Sequence, residues 1–363
     1  DGVLLREPGN VRALGMAVAL DVARGQPDSA RQRLDKAMQG QREPDEHLTL
    51  IAARFERSQG NAKRAVELYD TLIGRFGRRV EWLRELGQAQ LEAGQSEQAL
   101  KTLDAVITLS NRPAADWLQL ARAQERAGDQ AGAAKSIGEA LASEPDNPAA
   151  LLAEVRHLVR VGKTAEARAR MDALKKMAPS QTVPELLTAE AYLTLREGKP
   201  SDAVDLFKSA LAAAPSPDRA VDLARAQASI GDRVGALTTL EGWTAEHPDD
   251  LGVVFVLADA YAKSGDVPKA RATYERLLQR EPDNVLALNN LAWALRDADG
   301  AEALRLATRA AEVAPDAPAV LDTLGTLKLR AGETDAAVTA LRKAVEQSNG
   351  NAAISLHLAQ ALV

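Results

Sequence analysis

A pattern that returns about every 34 residues constrains this chain more than any other feature. Its fullest copy runs from Trp117 to Ala133, WLQLARAQERAGDQAGA. Glycine recurs at Gly25, Gly60, Gly94, Gly128, Gly162, Gly198, Gly231, Gly265 and Gly332, with Asp299-Gly300 in one irregular slot. An alanine follows each turn, at Ala30, Ala65, Ala99, Ala133, Ala167, Ala203, Ala236, Ala270, Ala303 and Ala337. A repeat of this length covers its apolar face only by stacking on its neighbours, so the period specifies a solenoid of helix pairs rather than one thick core.

Each position of the ladder has a physical reason. Glycine closes the first helix of a pair, because the left-handed conformation beyond a helix end is cheap only without a Cβ. The alanine lets the second helix approach closely. Four and seven residues beyond it stand apolar groups such as Leu103 and Val106, Phe207 and Ala210, and Tyr274 and Leu277. That spacing marks one buried helical face. A stop then follows at Pro145, Pro179, Pro215, Pro248, Pro282 and Pro315, with Asn111 and Asn349 substituting; proline cannot continue a helix.

Eight and seven residues before the glycine stands a large-then-small pair: Leu86-Gly87, Leu120-Ala121, Leu223-Ala224, Leu257-Ala258, Leu291-Ala292 and Leu324-Gly325. With the alanine and proline slots, this pattern resembles the tetratricopeptide repeat over essentially the whole chain. The resemblance implies an all-α fold, a right-handed superhelical solenoid of about ten helix-turn-helix repeats. Departures are local: Val18 and Val155 fill the small slot, Glu154 and Glu190 replace the leucine, and the Asp299 turn is one residue short. Packing is expected to be perturbed there.

Residues 1–10 read as the second helix of a truncated preceding repeat, 11–349 as the ten-repeat solenoid, and 350–363 as the first helix of a truncated following repeat. This expectation makes the chain a section of a longer protein, whose unseen N-terminus has room for a membrane anchor. The link from Ser180 to Pro184 is two residues longer than usual, and a small bend is expected there. No apolar run reaches the roughly 18 residues of a membrane helix, and no signal peptide opens the chain.

Chemistry finds little foothold. The chain has no cysteine, which removes disulfides and thiolate catalysis. His47, His157, His247 and His357 lie in different pairs without ligand spacing, and no GxSxG elbow or phosphate loop occurs. The expectation is therefore no catalytic residue, no metal and no cofactor. The carboxylates of Asp249-Asp250 read as caps of the following helix. A net charge of -6 argues against general attraction to nucleic acid. Aromatic residues make up only 3%, with Trp82, Trp117 and Trp243 placed as packing groups.

What remains is a binding surface. In the family that the pattern resembles, first helices line the concave side. Six residues before the glycine the chain reads Arg54, Gln88, Arg122, Arg156, Tyr192, Arg225, Asp259, Trp293 and Thr326; two before it stand Arg126, Arg160 and Arg196. These positions are four apart and share a helical face, while Leu118, Leu152 and Val221 make the same face apolar one turn earlier. Two readings stay open: arginines paired with neighbours such as Glu92 and Glu125, or a groove for an acidic, partly apolar protein partner. In the segment Leu288 to Leu295, LNNLAWAL, Asn289 and Asn290 offer amides to a partner backbone and Trp293 offers an indole to an apolar group or a sugar. A polysaccharide groove and a cytoplasmic adaptor or regulatory array are the alternatives.

That segment, together with the Arg/Ala-rich repeats following EPDN at Glu144–Asn147 and Glu281–Asn284, resembles the bacterial tetratricopeptide lipoproteins of the exosortase and PEP-CTERM exopolysaccharide systems. The resemblance implies a periplasmic scaffold in export or assembly of polysaccharide or sorted surface proteins.

Overall fold

The computed structural model describes residues 2–7, 10–39, 45–177 and 184–363. Every regular element among them is a helix. The contacts resolve into two compact units, 1–179 and 180–363. Their boundary falls in the long link from Ser180 to Pro184, whose first four residues lie outside the described ones. Pro8 and Pro179 lie outside them as well.

The first unit opens with α1 (Gly2–Arg6) and continues with five pairs. These are α2 (Val11–Ala23) with α3 (Pro27–Gln39), α4 (Glu46–Ser58) with α5 (Ala62–Phe76), and α6 (Val80–Glu92) with α7 (Ser96–Leu109). Then come α8 (Ala114–Arg126) with α9 (Gln130–Ser143), and α10 (Pro148–Arg160) with α11 (Thr164–Met177).

The second unit holds five more pairs, beginning with α12 (Pro184–Arg196) and α13 (Pro200–Ala213), then α14 (Pro217–Ser229) and α15 (Arg233–Glu246). It continues with α16 (Leu251–Ser264) and α17 (Val267–Arg280), α18 (Val285–Leu295) and α19 (Gly300–Val313), and α20 (Pro318–Arg330) and α21 (Thr334–Gln347), and closes with α22 (Ala352–Ala361).

The turn slots behave as their chemistry dictates. All nine ladder glycines hold positive φ, between 70° and 83°. The irregular slot does not: Gly300 is the first residue of α19, and Asp299 caps that helix by accepting from the Glu302 N–H at 3.2 Å. The expectation of a glycine turn at Asp299-Gly300 is therefore corrected. Helix α18 ends early, at 11 residues, and the four residues after it close the turn without a left-handed glycine. Where asparagine stands in for proline, Asn349 itself turns left-handed (φ 54°), whereas beside Asn111 it is Arg112 that does so (φ 56°).

The alanine slot is the tightest place in each pair. Nine of its ten residues have no exposed surface, and Ala236 keeps 5%. The small slot of the first helix meets it from the other side. A Cβ on Gly87 would stand 2.7 Å from Leu103, and one on Gly325 would stand 2.5 Å from Leu341 and 3.2 Å from the Ala337 carbonyl. The departures cost little of this packing. Val18 and Val155 are buried in the small slot, and Glu154, in the leucine slot, is held 3.1 Å from Arg170 of α11.

The EPDN segments are junctions between pairs. Asn147 accepts from the Ala149 and Ala150 N–H groups, Asn284 accepts from the Ala287 N–H, and each donates its amide to the glutamate three residues earlier at 2.7 Å. Asp250 departs from its expected role. It occupies the N-cap position of α16 but makes no side-chain cap, and instead accepts from the Trp243 indole at 2.7 Å.

Replacing Ala270, which has no exposed surface, by leucine overpacks the α16–α17 contact and is expected to destabilise the second unit by about 1–3 kcal/mol. Urea unfolding followed by circular dichroism checks this. An unchanged transition would show that the slot tolerates bulk.

Candidate partner-binding surface

Within each unit, helices of a pair pack on one another and on the next pair, and first helices also touch the first helix two elements on: α2 with α4, α6 with α8, α8 with α10, α14 with α16, α16 with α18, and α18 with α20. First helices thus lie on the inner side of each stack. The residues at the chosen register lie on these first helices, and the structure divides them between the two units: Arg54, Arg122, Arg126, Arg156 and Arg160 in the first, Tyr192, Arg196, Arg225, Asn289 and Trp293 in the second.

Several of the arginines are already engaged as ties between successive repeats. Arg54 donates to both carboxylate oxygens of Glu85, at 2.5 and 2.9 Å, and the Tyr69 hydroxyl donates to the same carboxylate at 2.6 Å. Arg160 pairs with Glu125 of the preceding repeat at 2.7 Å. Arg126 donates at 2.9 Å to the carbonyl of Leu91 in the last turn of α6, which also accepts from the Gly94 N–H at 3.2 Å. A more buried tie, overlooked in the sequence, lies one register over. Arg84 forks onto Asp116 at 2.6 and 2.8 Å, and Asp116 is only 2% exposed.

Arg122 and Arg156 line a narrow cleft together with Leu118, Ala121, Glu125 and Ala153. Arg122, Arg196 and Arg225 are exposed, and their guanidinium groups make no hydrogen bond among the described residues. These three are the cations of the band that remain available to a partner.

Tyr192 and Trp293 are each 41% exposed, but both are held in place by their own repeats. The Tyr192 hydroxyl donates to Asp222 at 2.6 Å, and its ring meets Phe207 edge-on with centroids 5.1 Å apart. Burial and the Asp222 carboxylate push the Tyr192 phenol far above its usual range. Burial also pushes the Asp222 carboxyl up, and the Tyr192 hydrogen bond and the Arg225 charge only partly offset it. Tyr192, Val221, Asp222, Arg225 and Val256 border a shallow hollow of about 470 Å³. The Arg296 guanidinium lies 4.6 Å above the Trp293 ring and donates to the Trp293 carbonyl at 2.7 Å. Asn289 carries a buried Oδ1 without a hydrogen-bond partner among the described residues, while its Nδ2 lies 3.5 Å from the Asn290 side chain. The Asn289 residue as a whole is half-buried.

Trp82 is buried beneath Arg79, at 4.2 Å, and Trp117 packs in the core between repeats. Among the described residues no cluster of histidine and carboxylate side chains forms a metal site, and no helix is long and apolar enough to cross a membrane.

These features define an α-solenoid of stacked helix pairs with inner faces of mixed charge and apolar character. Models of the tetratricopeptide repeat match residues 50–116, 118–182 and 323–363 in one version and 194–251 and 231–294 in another, together well over half of the sequence. The chain belongs to the tetratricopeptide repeat family. It is 25% identical over 183 residues to a TPR repeat-containing protein of Pseudomonas aeruginosa, covering 49% of this chain and 31% of that protein. It is 31% identical over 170 residues to cellulose synthase 2 operon protein C of Komagataeibacter xylinus, covering 46% of this chain and 13% of that protein. The chain thus spans less than a third of the length of either relative. A crystal structure of a tetratricopeptide repeat protein from Parabacteroides merdae superposes with a TM-score of 0.50 at 15% identity, over 69% of this chain and 99% of that one, and shares the fold.

The Glu85 site carries a pH prediction. Burial pushes its carboxyl up, but the hydrogen bonds from Arg54 and Tyr69 outweigh this and hold it below the usual carboxylate range. A carboxyl with a depressed folded pKa contributes stability above its unfolded pKa and loses it as pH falls through the folded one. Glu85→Gln is therefore expected to flatten the acid limb of a urea-midpoint against pH curve below the ordinary glutamate range. A variant curve parallel to that of the unaltered protein would remove Glu85 from this role.

Proposed function

We propose that the chain is a non-enzymatic scaffold that holds protein partners on the inner faces of its first helices, in assembly or export of a bacterial exopolysaccharide. The observation that carries this reading is the presence, on faces otherwise tied up by internal ion pairs, of three exposed guanidinium groups that make no hydrogen bond among the described residues, two of them beside apolar neighbours. Arg122 stands by Leu118, and Arg225 by Val221 and Val256. Guanidinium forks suit carboxylates, so an acidic, partly apolar protein segment fits this arrangement. The likeness to a cellulose synthase operon protein supports the exopolysaccharide setting. We place the scaffold on the periplasmic side of the envelope, a reading that fractionation of tagged full-length protein tests directly. A sugar-stacking groove is less favoured, because Tyr192 is edge-packed on Phe207 and Trp293 already carries Arg296 over its ring.

The test is retention of envelope proteins from a detergent extract by the purified protein and by an Arg122→Glu/Arg196→Glu/Arg225→Glu variant. The three sites are exposed, so helicity is expected to stay unchanged. The native protein is expected to retain a defined set of proteins that the variant loses, and that 0.5 M salt weakens through screening. Equal retention by both would move the binding surface off the inner faces.

A further inference from the structure

Three residues before the turn glycine, five first helices carry a branched aliphatic side chain, Val22, Leu91, Val159, Leu195 and Leu329, while Arg57, Glu125 and Ala262 hold the slot in three others. Leu91 and Val159 are buried in that position. In α14 the slot holds Ala228, and Ala260 of the next first helix borders the same space. Beside Ala228 a recess of about 410 Å³ opens between α14, α15 and α16. Leu237 and Phe255 line its walls, and Leu240, 1% exposed, forms its floor.

Its rim carries an excess of positive charge. Arg225, Arg233 and Lys263 border it, against the single carboxylate of Asp259, which is already 2.6 Å from Lys263. This local excess of cations stands in a chain of net charge -6. An apolar pocket with a cationic rim selects an apolar group carried on an acidic backbone segment, since the pocket rewards burial of the first and the rim the approach of the second.

We propose that this recess receives one bulky apolar side chain of a partner peptide whose neighbouring residues are acidic. This deepens the inner-face reading above by fixing the chemistry of the partner and the place of its anchor. Anchors of this kind dominate binding because one deep apolar contact is fully desolvated while the surrounding charges steer approach.

The test uses the full chain with methyl-labelled leucine and valine, titrated by nuclear magnetic resonance with capped pentapeptides of sequence Asp-Glu-Trp-Glu-Asp, Asp-Glu-Leu-Glu-Asp and Asp-Glu-Ala-Glu-Asp at low salt. The tryptophan and leucine peptides are expected to shift the Leu237 and Leu240 resonances saturably, with the alanine peptide weaker by roughly tenfold or more. Ala228→Leu, at an exposed helical position, restores the bulk found in other repeats and is expected to weaken both peptides to the level of the alanine one. Arg225→Glu/Arg233→Glu is expected to weaken them while preserving the preference for tryptophan over alanine. Shifts confined to other first helices and indifferent to Ala228→Leu would overturn the recess while leaving the inner-face scaffold intact. Absence of any peptide response, or saturable shifts with laurate alone, would overturn it as a peptide site, and the extract experiment would still decide the broader reading separately.

Discussion

The close approach of two helices at one alanine per repeat is the constraint on which the rest depends. The alanine's methyl group, without exposed surface in nine of the ten repeats, sits where the second helix meets the small slot of its partner. Gly87 and Gly325 lack even that, and the space a Cβ would need is taken by Leu103 and Leu341. Burying such a contact removes apolar surface from water with almost no loss of side-chain entropy. The chain can therefore be alanine-rich and nearly free of aromatic residues and still hold its pairs together. Larger residues four positions on, Tyr69, Phe207 and Tyr274 among them, then fill the space between pairs with at most 1% exposure.

Charge adds a second layer that runs from repeat to repeat. Arg79 forks onto Glu46, Arg84 onto Asp116 and Arg219 reaches Glu185, each spanning 32 to 34 residues, which is one repeat. Exposed pairs of this sort contribute little individually. The Arg84–Asp116 fork is different because its carboxylate is almost wholly buried, and a buried carboxylate stripped of its partner is costly. The same residue type thus ties repeats together at one register and faces solvent at the next, and only geometry separates the two uses.

That division explains how far the sequence could be read. The helix pairs were legible because their determinants are local: a glycine at positive φ, an alanine without exposed surface, a proline or asparagine at the junction. Asp299-Gly300 was misread because a glycine in the right place is no sign of a left-handed turn when an aspartate beside it can cap the next helix. The inner-face register was legible from helical spacing, but the state of each side chain was not. Arg54, Arg126 and Arg160 find their acceptors 31 to 35 residues away, on neighbouring repeats whose distance from them the spacing along one helix does not encode. The recess at Ala228 left a faint trace, a small residue in a slot that holds leucine or valine in five other first helices. An alanine in an alanine-rich chain draws no notice until the neighbouring helices show what it fails to cover.

The short reach of the ties has a consequence for how such a chain is made. The side-chain bonds described above that join one repeat to the next connect residues no more than 35 apart, from Tyr69–Glu85, 16 apart, to Arg126–Leu91. Little loop-closure entropy opposes contacts of that range, and chains dominated by them fold quickly. A pair emerging from the ribosome can dock on the one before it without waiting for any residue more than about one repeat downstream. Synthesis and folding then advance together, and at any moment only the newest pair exposes its apolar face.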